Sequence, residues 1–186
     1  MKKLSLSNII FIVVIALLII PQTRKPIQVA LQKIRVQLFS PTKLDKEDQQ
    51  QLEPFTYHLR TLDGISKGIE IGQGRVTFIS YWATWCPPCI AEFPSIDKLF
   101  KDYGNEIDFL LITNEDPEIV KRFLKEKEFD IPVVLPQMNT PEELYESSIP
   151  TSYIIDATGK VIIKEQGAVD WNSTEIREVI DQLIIN

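Results

Sequence analysis

One short segment constrains the fold of this chain more than any other part of the sequence. Residues 75–82 are rich in β-forming side chains and lead into the run Cys86-Pro87-Pro88-Cys89, which holds the only two cysteines. The apolar residues that follow recur every three to four positions, which predicts a helix. A cysteine pair at such a strand-to-helix junction can close a disulfide across the first helical turn.

The position of the two cysteines predicts unequal chemical roles. Unpaired backbone N–H groups and the positive end of the helix dipole stabilise a thiolate at a helix start, which favours Cys86 as the nucleophile. Pro87 and Pro88 suit the first helical positions, where a missing N–H costs nothing. Cys89, one turn later and facing inward, can displace a mixed disulfide formed on Cys86. The pattern therefore predicts thiol–disulfide exchange.

Two other interpretations of the cysteine pair are weaker. A structural zinc site needs four ligands, and the only histidine, His58, lies far away in sequence. We expect His58 to be an exposed strand residue, and we predict no metal site. An inert structural disulfide would add little stability, because the gain from closing a loop shrinks with its length.

The first 21 residues are predicted to form a membrane anchor. Residues 9–20 are an unbroken apolar run, and the stretch counted from Leu4 reaches seventeen residues with three polar interruptions. No pair of small residues in 21–26 offers a cleavage site. We therefore predict an uncleaved signal-anchor, a transmembrane helix over residues 1–21, rather than a cleaved signal peptide.

Charge is distributed unevenly along the chain. Residues 1–40 hold six basic residues and no acidic one, whereas the remainder carries a net charge of −12 within a total of −6. An acidic body argues against nucleic acid as a partner, because phosphate binding needs the opposite sign. Basic residues that flank an apolar run indicate membrane contact.

The side of the membrane on which the folded domain lies is inferred from the dithiol rather than from the distribution of charge. Lys2 and Lys3 on one side compete with four basic residues between 24 and 35 on the other, so the positive-inside count is not decisive. An anchored dithiol is most useful where disulfides form. We expect a single-pass protein of the bacterial cytoplasmic membrane with its catalytic domain on the extracytoplasmic (periplasmic or outer) side.

Residues 22–53 are predicted to connect the anchor to the folded body. Ile27, Leu31, Ile34 and Leu38 recur at helical spacing with polar residues between them. They indicate an amphipathic juxtamembrane helix that lies on the membrane surface, docks on a partner or serves as a spacer. Residues 40–53 are polar and rich in turn formers, which is typical of a linker.

Residues 54–186 are predicted to form one α/β domain. Strands are expected at 55–62, 75–82, 107–113, 132–135, 151–156 and 160–166, and helices at 90–104, 117–126, 141–146 and 176–184. Because helices and strands alternate and a hairpin and a helix close the chain, we expect a layered sheet with helices on both faces.

The segment 78–94 resembles the active site of thioredoxin-fold proteins, and more narrowly that of the membrane-anchored TlpA/ResA-like thiol-disulfide oxidoreductases. The resemblance runs from about Pro54 to the C-terminus. Pro94, Ile149-Pro150-Thr151, Gly159 and Gly167 match further positions of that fold. It implies a thioredoxin fold with a mixed central sheet, preceded by a transmembrane anchor.

The resemblance also assigns site residues. It implies a cis peptide bond at Pro150, in a loop that faces the cysteines and pairs with an extended substrate; Pro132 is the rival for that bond. Glu92 matches a glutamate that exchanges protons with Cys89, and Ser80 replaces the buried aspartate of thioredoxins. Substrate contacts are expected from Trp85, Pro87, Pro88, Ile149 and Pro150. Trp82 is expected to pack beneath the motif.

The predicted function is that of a membrane-tethered thiol-disulfide oxidoreductase in cell redox homeostasis. It would need no cofactor beyond the redox-active Cys86–Cys89 disulfide and would draw electrons from an upstream membrane donor. The resemblance implies reduction of extracytoplasmic protein disulfides such as those of apocytochrome c, in c-type cytochrome biogenesis. A disulfide oxidant or isomerase, a peroxidase, and a copper-carrying assembly factor using both cysteines remain alternatives.

Overall fold

The fold is seen in a computed structural model that describes residues 6–145 and 147–185. Two helices come first, α1 (Leu6–Ile19) and α2 (Pro21–Leu38). The elements that follow are β1 (Phe55–Thr61), β2 (Ser66–Ile71), β3 (Thr77–Tyr81), α3 (Pro87–Tyr103), β4 (Asp108–Ile112), α4 (Pro117–Lys127), β5 (Val133–Pro136), a short 3-10 helix (Glu142–Leu144), β6 (Thr151–Ile155), β7 (Val161–Gln166) and α5 (Thr174–Ile185).

The seven strands form one mixed sheet in the order β2-β1-β5-β4-β3-β6-β7. Strands β3, β4 and β5 are parallel to one another, and the outer strands pair antiparallel. The mixed α/β sheet expected from the sequence is therefore confirmed. Strand β3 lies inside the sheet and delivers the chain directly to the cysteines.

The two faces of the sheet are covered differently. Alternate strand residues such as Phe78 and Ile79 belong to separate buried clusters, one on each face. The buried apolar residues of α4 and α5, and those of α3 except Ala91, lie in the cluster that contains Phe78, whereas the other cluster is completed by Leu52 and Leu144. Helices were expected on both faces. The connections β3-α3-β4 and β4-α4-β5 join neighbouring parallel strands and advance in one direction across the sheet. Because such connections are almost always right-handed, both helices are expected on the same side.

The residues between α2 and β1 are attached to the edge of the sheet. Leu44 N–H donates to Ile162 O, Val161 N–H to Gln50 O and Leu52 N–H to Gly159 O, each at 2.9 Å. This stretch has the irregular backbone that its composition predicts. It nevertheless runs along the outer side of β7.

No helix in the described residues is by itself both long and apolar enough to cross a bilayer. The bent pair Leu6–Leu17 and Gln22–Leu38, whose axes differ by 90°, meets the length and composition criterion only jointly. Lys2 and Lys3, and with them the start of the predicted anchor, lie outside the described residues.

Two elements differ from the sequence-based prediction. Strand β2 was not predicted, because its sequence Ser-Lys-Gly-Ile-Glu-Ile is polar and most of it is exposed. The helix expected at 141–146 is a single 3-10 turn, Glu142–Leu144, and Glu146 lies outside the described residues.

Candidate active site

Cys86 occupies the N-cap of helix α3, as the sequence predicts. Its backbone is extended, with φ −87° and ψ 108°, and Pro87 and Pro88 take the first helical positions. Because neither proline has an N–H, the first amide available at this helix start is that of Cys89. It donates to Cys86 Sγ at 3.3 Å. A negative charge on Cys86 would therefore be stabilised by a backbone donor and by the helix dipole.

The two cysteines form a disulfide, so the structure represents the oxidised state. Their Cα atoms are 5.3 Å apart, within the ordinary range. Cys86 is 3% exposed and Cys89 is fully buried. The pair lies in the apolar cluster between β3 and α3, and only the Cys86 side approaches the surface.

The Ile149-Pro150 peptide bond is cis and lies beside Cys86. Cys86 Sγ is 3.7 Å from Ile149 O, and Pro150 O accepts a hydrogen bond from Gly167 N–H at 2.9 Å. Pro132, the rival position, is not cis. The predicted juxtaposition of this loop with the cysteines is therefore present, and the loop is held in turn by the residues that follow β7.

Glu92, one turn beyond Cys89 on α3, is 1% exposed. Its Oε2 accepts a hydrogen bond from Trp171 Nε1 at 3.4 Å, and Oε1 has no partner within the described part of the chain. Burial raises the pKa of the Glu92 carboxyl well above its usual range, while the Trp171 indole and the Val169 backbone amide oppose that shift. Burial therefore favours the protonated form of this carboxyl relative to an exposed glutamate.

Residues 82–86, called here the pre-cysteine loop, are fixed by a second carboxylate. Glu115 Oε2 accepts Thr84 N–H at 2.6 Å, and Glu115 Oε1 accepts the Thr84 hydroxyl at 2.7 Å. Its neighbour Asp116 caps α4 by accepting Glu118 N–H, whereas Glu115 points away to the cysteine motif.

The two tryptophans of the motif lie in different environments. Trp82 is buried and packs against Phe93 and Phe123, with ring centroids 4.3 and 5.5 Å away. Trp85 is 64% exposed beside Cys86. Their positions match the expected packing role of the first and an available contact surface on the second.

Other residues singled out in the sequence lie away from the chemistry. His58 is exposed on β1. Ser80 is buried, and its hydroxyl accepts a hydrogen bond from the Ser152 hydroxyl at 2.8 Å, so this position holds a neutral polar pair. Across residues 6–145 and 147–185, no three His, Cys, Asp or Glu side chains are grouped to hold a metal ion.

Three residues that shape the Glu92 pocket were not predicted. Trp171 and Val169 belong to residues 167–171, called here the post-β7 loop, and Ser95 follows Pro94 on α3. The Ser95 hydroxyl donates to Glu92 O at 2.7 Å and accepts Trp171 N–H at 3.2 Å. The only sequence signal for this pocket was Trp171, a single tryptophan shortly after Gly167.

This geometry suits proton-coupled thiol–disulfide exchange. A dithiol at a helix start supplies the nucleophile and the resolving thiol, the cis-proline loop presents backbone beside them, and a buried carboxyl lies on the inner side. A carboxylate of raised pKa is a stronger base than an ordinary one, which suits it to exchange a proton with a neighbouring thiol.

Comparison with known proteins agrees with this chemistry. Residues 47–183 match the Redoxin family. The thiol-disulfide oxidoreductase ResA of Bacillus cereus is 30% identical over 124 residues, which are 64% of this chain and 72% of that protein. The thioredoxin-like protein YneN of Bacillus subtilis is 26% identical over 129 residues, 67% of this chain and 75% of that one. The crystal structure of StoA from B. subtilis shares the fold, with a TM-score of 0.53, 20% identity and coverage of 69% and 96%.

Proposed function

Given that the chain belongs to the Redoxin family, as a ResA-like thiol-disulfide oxidoreductase of the thioredoxin fold, we propose that it reduces disulfides of proteins outside the cytoplasmic membrane. The observation that carries this proposal is the buried Glu92 carboxyl one turn behind the resolving cysteine. Disulfides of apocytochrome c are the proposed substrate class, and a dithiol protein in the membrane is the proposed electron donor.

The proposed cycle begins when the donor reduces Cys86–Cys89 with two electrons and two protons. The Cys86 thiolate then attacks a substrate disulfide, forms a mixed disulfide and releases one substrate thiolate, which takes up a proton. Cys89 loses its proton to the Glu92 carboxylate and attacks Cys86 Sγ. The second substrate thiolate leaves and is protonated, the Glu92 carboxyl releases the proton that it took from Cys89, and the Cys86–Cys89 disulfide is restored.

Substrate is proposed to bind across Trp85, Pro87, Pro88 and the Ile149-Pro150 loop. An extended segment can pair with the backbone of that loop, which holds its disulfide beside Cys86 Sγ. Such binding uses main-chain groups mostly, so it suits substrates that are not yet folded.

Tethering to the membrane is proposed for α1 and α2. The large apolar side chains of α1 with defined exposure leave 39–73% of their surface uncovered. On α2, Leu31, Ile34 and Leu38 are 56–72% exposed along one side. If α1 inserts, the 90° bend between the two helices lays α2 along the bilayer surface, with this exposed apolar side available to the membrane.

The activity is tested with the purified full-length protein in detergent. Its dithiol is equilibrated with glutathione buffers, and reduction of a disulfide-bonded apocytochrome c peptide is followed. We expect a potential below about −200 mV and stoichiometric reduction, whereas a value near −120 mV is typical of strong oxidants of this fold and would contradict the proposal. A Cys86→Ser variant serves as the inactive control, and Cys89→Ser should accumulate the mixed disulfide.

The location is tested with a membrane-impermeant thiol reagent. After mild reduction of intact cells, Cys86 should be labelled without lysis, and the protein should stay with membranes in alkaline carbonate. Labelling that requires lysis would refute an extracytoplasmic domain.

A further inference from the structure

Helix α2 contacts both loops that flank the dithiol. Near its N-terminus, Lys25 Nζ donates to Thr84 O of the pre-cysteine loop at 3.1 Å. At its other end, residues 35–39 lie against the post-β7 loop. The helix therefore bridges the two loops from outside, although it is separated in sequence from both.

Three contacts attach the end of α2 to the post-β7 loop. The Arg35 guanidinium lies on Gly167, where an added Cβ would be 2.7 Å from Arg35 Nη1. Val36 is buried against Ala91 and Ala168. The Asp170 N–H donates to Phe39 O at 2.9 Å. Charge, packing and a backbone hydrogen bond thus act on one short stretch of chain.

The inner side of the same loop forms the wall of the Glu92 pocket. The Trp171 indole donates to Glu92 Oε2, and the Trp171 backbone amide donates to Ser95 Oγ. Any outward movement of the loop would admit water to the carboxyl and remove its hydrogen-bond donor. The contacts made by α2 can therefore affect Glu92 through the post-β7 loop.

We propose that Arg35 is a positioning residue for the proton-transfer step: with Val36 and Phe39 it holds the post-β7 loop over Glu92 and sets the charge that the buried carboxyl faces. The proposal rests on the proposed function for the role of Glu92. In the step concerned, one proton passes from Cys89 Sγ to the Glu92 carboxylate, and no electrons move until the thiolate attacks Cys86 Sγ.

Two charged groups act on Glu92 from the elements packed around it. Glu165 on β7 raises the pKa of the Glu92 carboxyl and Arg35 on α2 lowers it, both less than burial raises it. Arg35 also lowers the pKa of Glu165, which burial raises. Removing the positive charge of Arg35 disfavours ionisation of Glu92 and of neighbouring Cys89, so the coupled titration should move to higher pH.

The test is a thiolate titration of the reduced full-length protein in detergent. A Cys86→Ser variant leaves Cys89 as the only thiol, and its ultraviolet absorbance is followed against pH. Arg35→Ala is expected to move the titration to higher pH. Lys33→Ala is the matched control, because it removes the same charge from the same helix and Lys33 is not among the groups that shift the pKa of the Glu92 carboxyl. In a Glu92→Gln background, the Arg35→Ala shift should fall to less than half.

Equal shifts for Arg35→Ala and Lys33→Ala, or an Arg35→Ala shift that Glu92→Gln leaves intact, would overturn the proposal. The titration requires no turnover. Failure of the wild type to reduce a substrate would therefore refute the proposed function without affecting the interpretation of the titration. Likewise, a titration that contradicts the role of Arg35 would leave the proposed function standing.

Hydrogen exchange tests the mechanical part. In the full-length Val36→Asp variant, the amides of Asp170 and Trp171 should exchange about tenfold faster. The post-β7 loop can then open without having to break its packing against α2. The amides of β4 report whether the domain remains folded. Unchanged protection in the post-β7 loop with β4 intact would show that α2 does not hold it.

Discussion

A glutamate lies on each side of the dithiol, and the two glutamates differ in their hydrogen bonding. In front of Cys86, both oxygens of Glu115 are bonded to Thr84. Behind Cys89, Glu92 is buried with one weak side-chain donor and one unpartnered oxygen. A carboxylate whose oxygens both accept hydrogen bonds holds a loop in place. A buried carboxyl with few hydrogen bonds has a shifted pKa and is suited to change its protonation state. The contrast predicts that Glu115 mainly stabilises the pre-cysteine loop and that Glu92 changes its protonation state during the reaction.

The largest effect should come from removing the chemistry at the back. Glu92→Gln keeps the size of the side chain but cannot accept the Cys89 proton, so resolution of the mixed disulfide should slow by about a hundredfold. Stopped-flow measurement of substrate release checks this. Glu178→Gln, an exposed glutamate on α5, is the matched control. An unchanged rate would remove Glu92 from the mechanism.

Removal of the front carboxylate should cost stability instead. Glu115→Ala leaves the Thr84 amide and hydroxyl without their acceptor and should lower the free energy of unfolding by about 1–3 kcal/mol. Chemical denaturation measures it. Glu115→Gln, which keeps one carbonyl acceptor, should lose less. If Glu115→Ala changed the pH dependence of turnover as Glu92→Gln does, the contrast between the two sides would fail.

The same contrast predicts how stability depends on pH. A carboxyl whose pKa is raised on folding stabilises the protein fully below its unfolded pKa, about 4.3, and this contribution is lost as pH rises through the folded value. The stability of Glu92→Gln relative to wild type should therefore increase with pH above that point. Unfolding of the oxidised proteins at several pH values checks the sign. A difference that is flat with pH would contradict the raised pKa.

The smallest effect is expected at the exposed end of α2. Lys25→Ala removes a hydrogen bond to Thr84 O at the protein surface and should change the unfolding free energy by no more than about 0.5 kcal/mol. A loss as large as that of Glu115→Ala would show that α2, and not Glu115, fixes the pre-cysteine loop.

Local sequence signals predicted the parts of the site that are contiguous in the chain. Cys86 and Cys89 at a helix start follow from a β-rich run, two prolines and a helical period, all within thirty positions of each other. The cis bond before Pro150 came from the family resemblance, since no local pattern distinguishes it from Pro132. The burial of Glu92 also could not be derived from periodicity alone.

The parts that escaped prediction depend on contacts between distant segments. Strand β2 has a weak pattern of its own and exists because β1 offers it a hydrogen-bonding edge. The partners of Glu92 lie almost eighty positions later, at Val169 and Trp171. The end of α2 meets that loop across a still longer separation. Such pairings are decided by packing, which a single sequence does not reveal.

The attachment of residues 44–52 to β7 also has a consequence for how the protein behaves at high concentration. An open strand edge is a template on which other copies can add strands and aggregate. On the β7 side that template is already occupied by the chain's own segment. On the opposite side, β2 is only six residues long and places Lys67 and Glu70 among its exposed positions. One border is covered and the other is short and charged, which should limit edge-to-edge association between copies of the protein at high concentration.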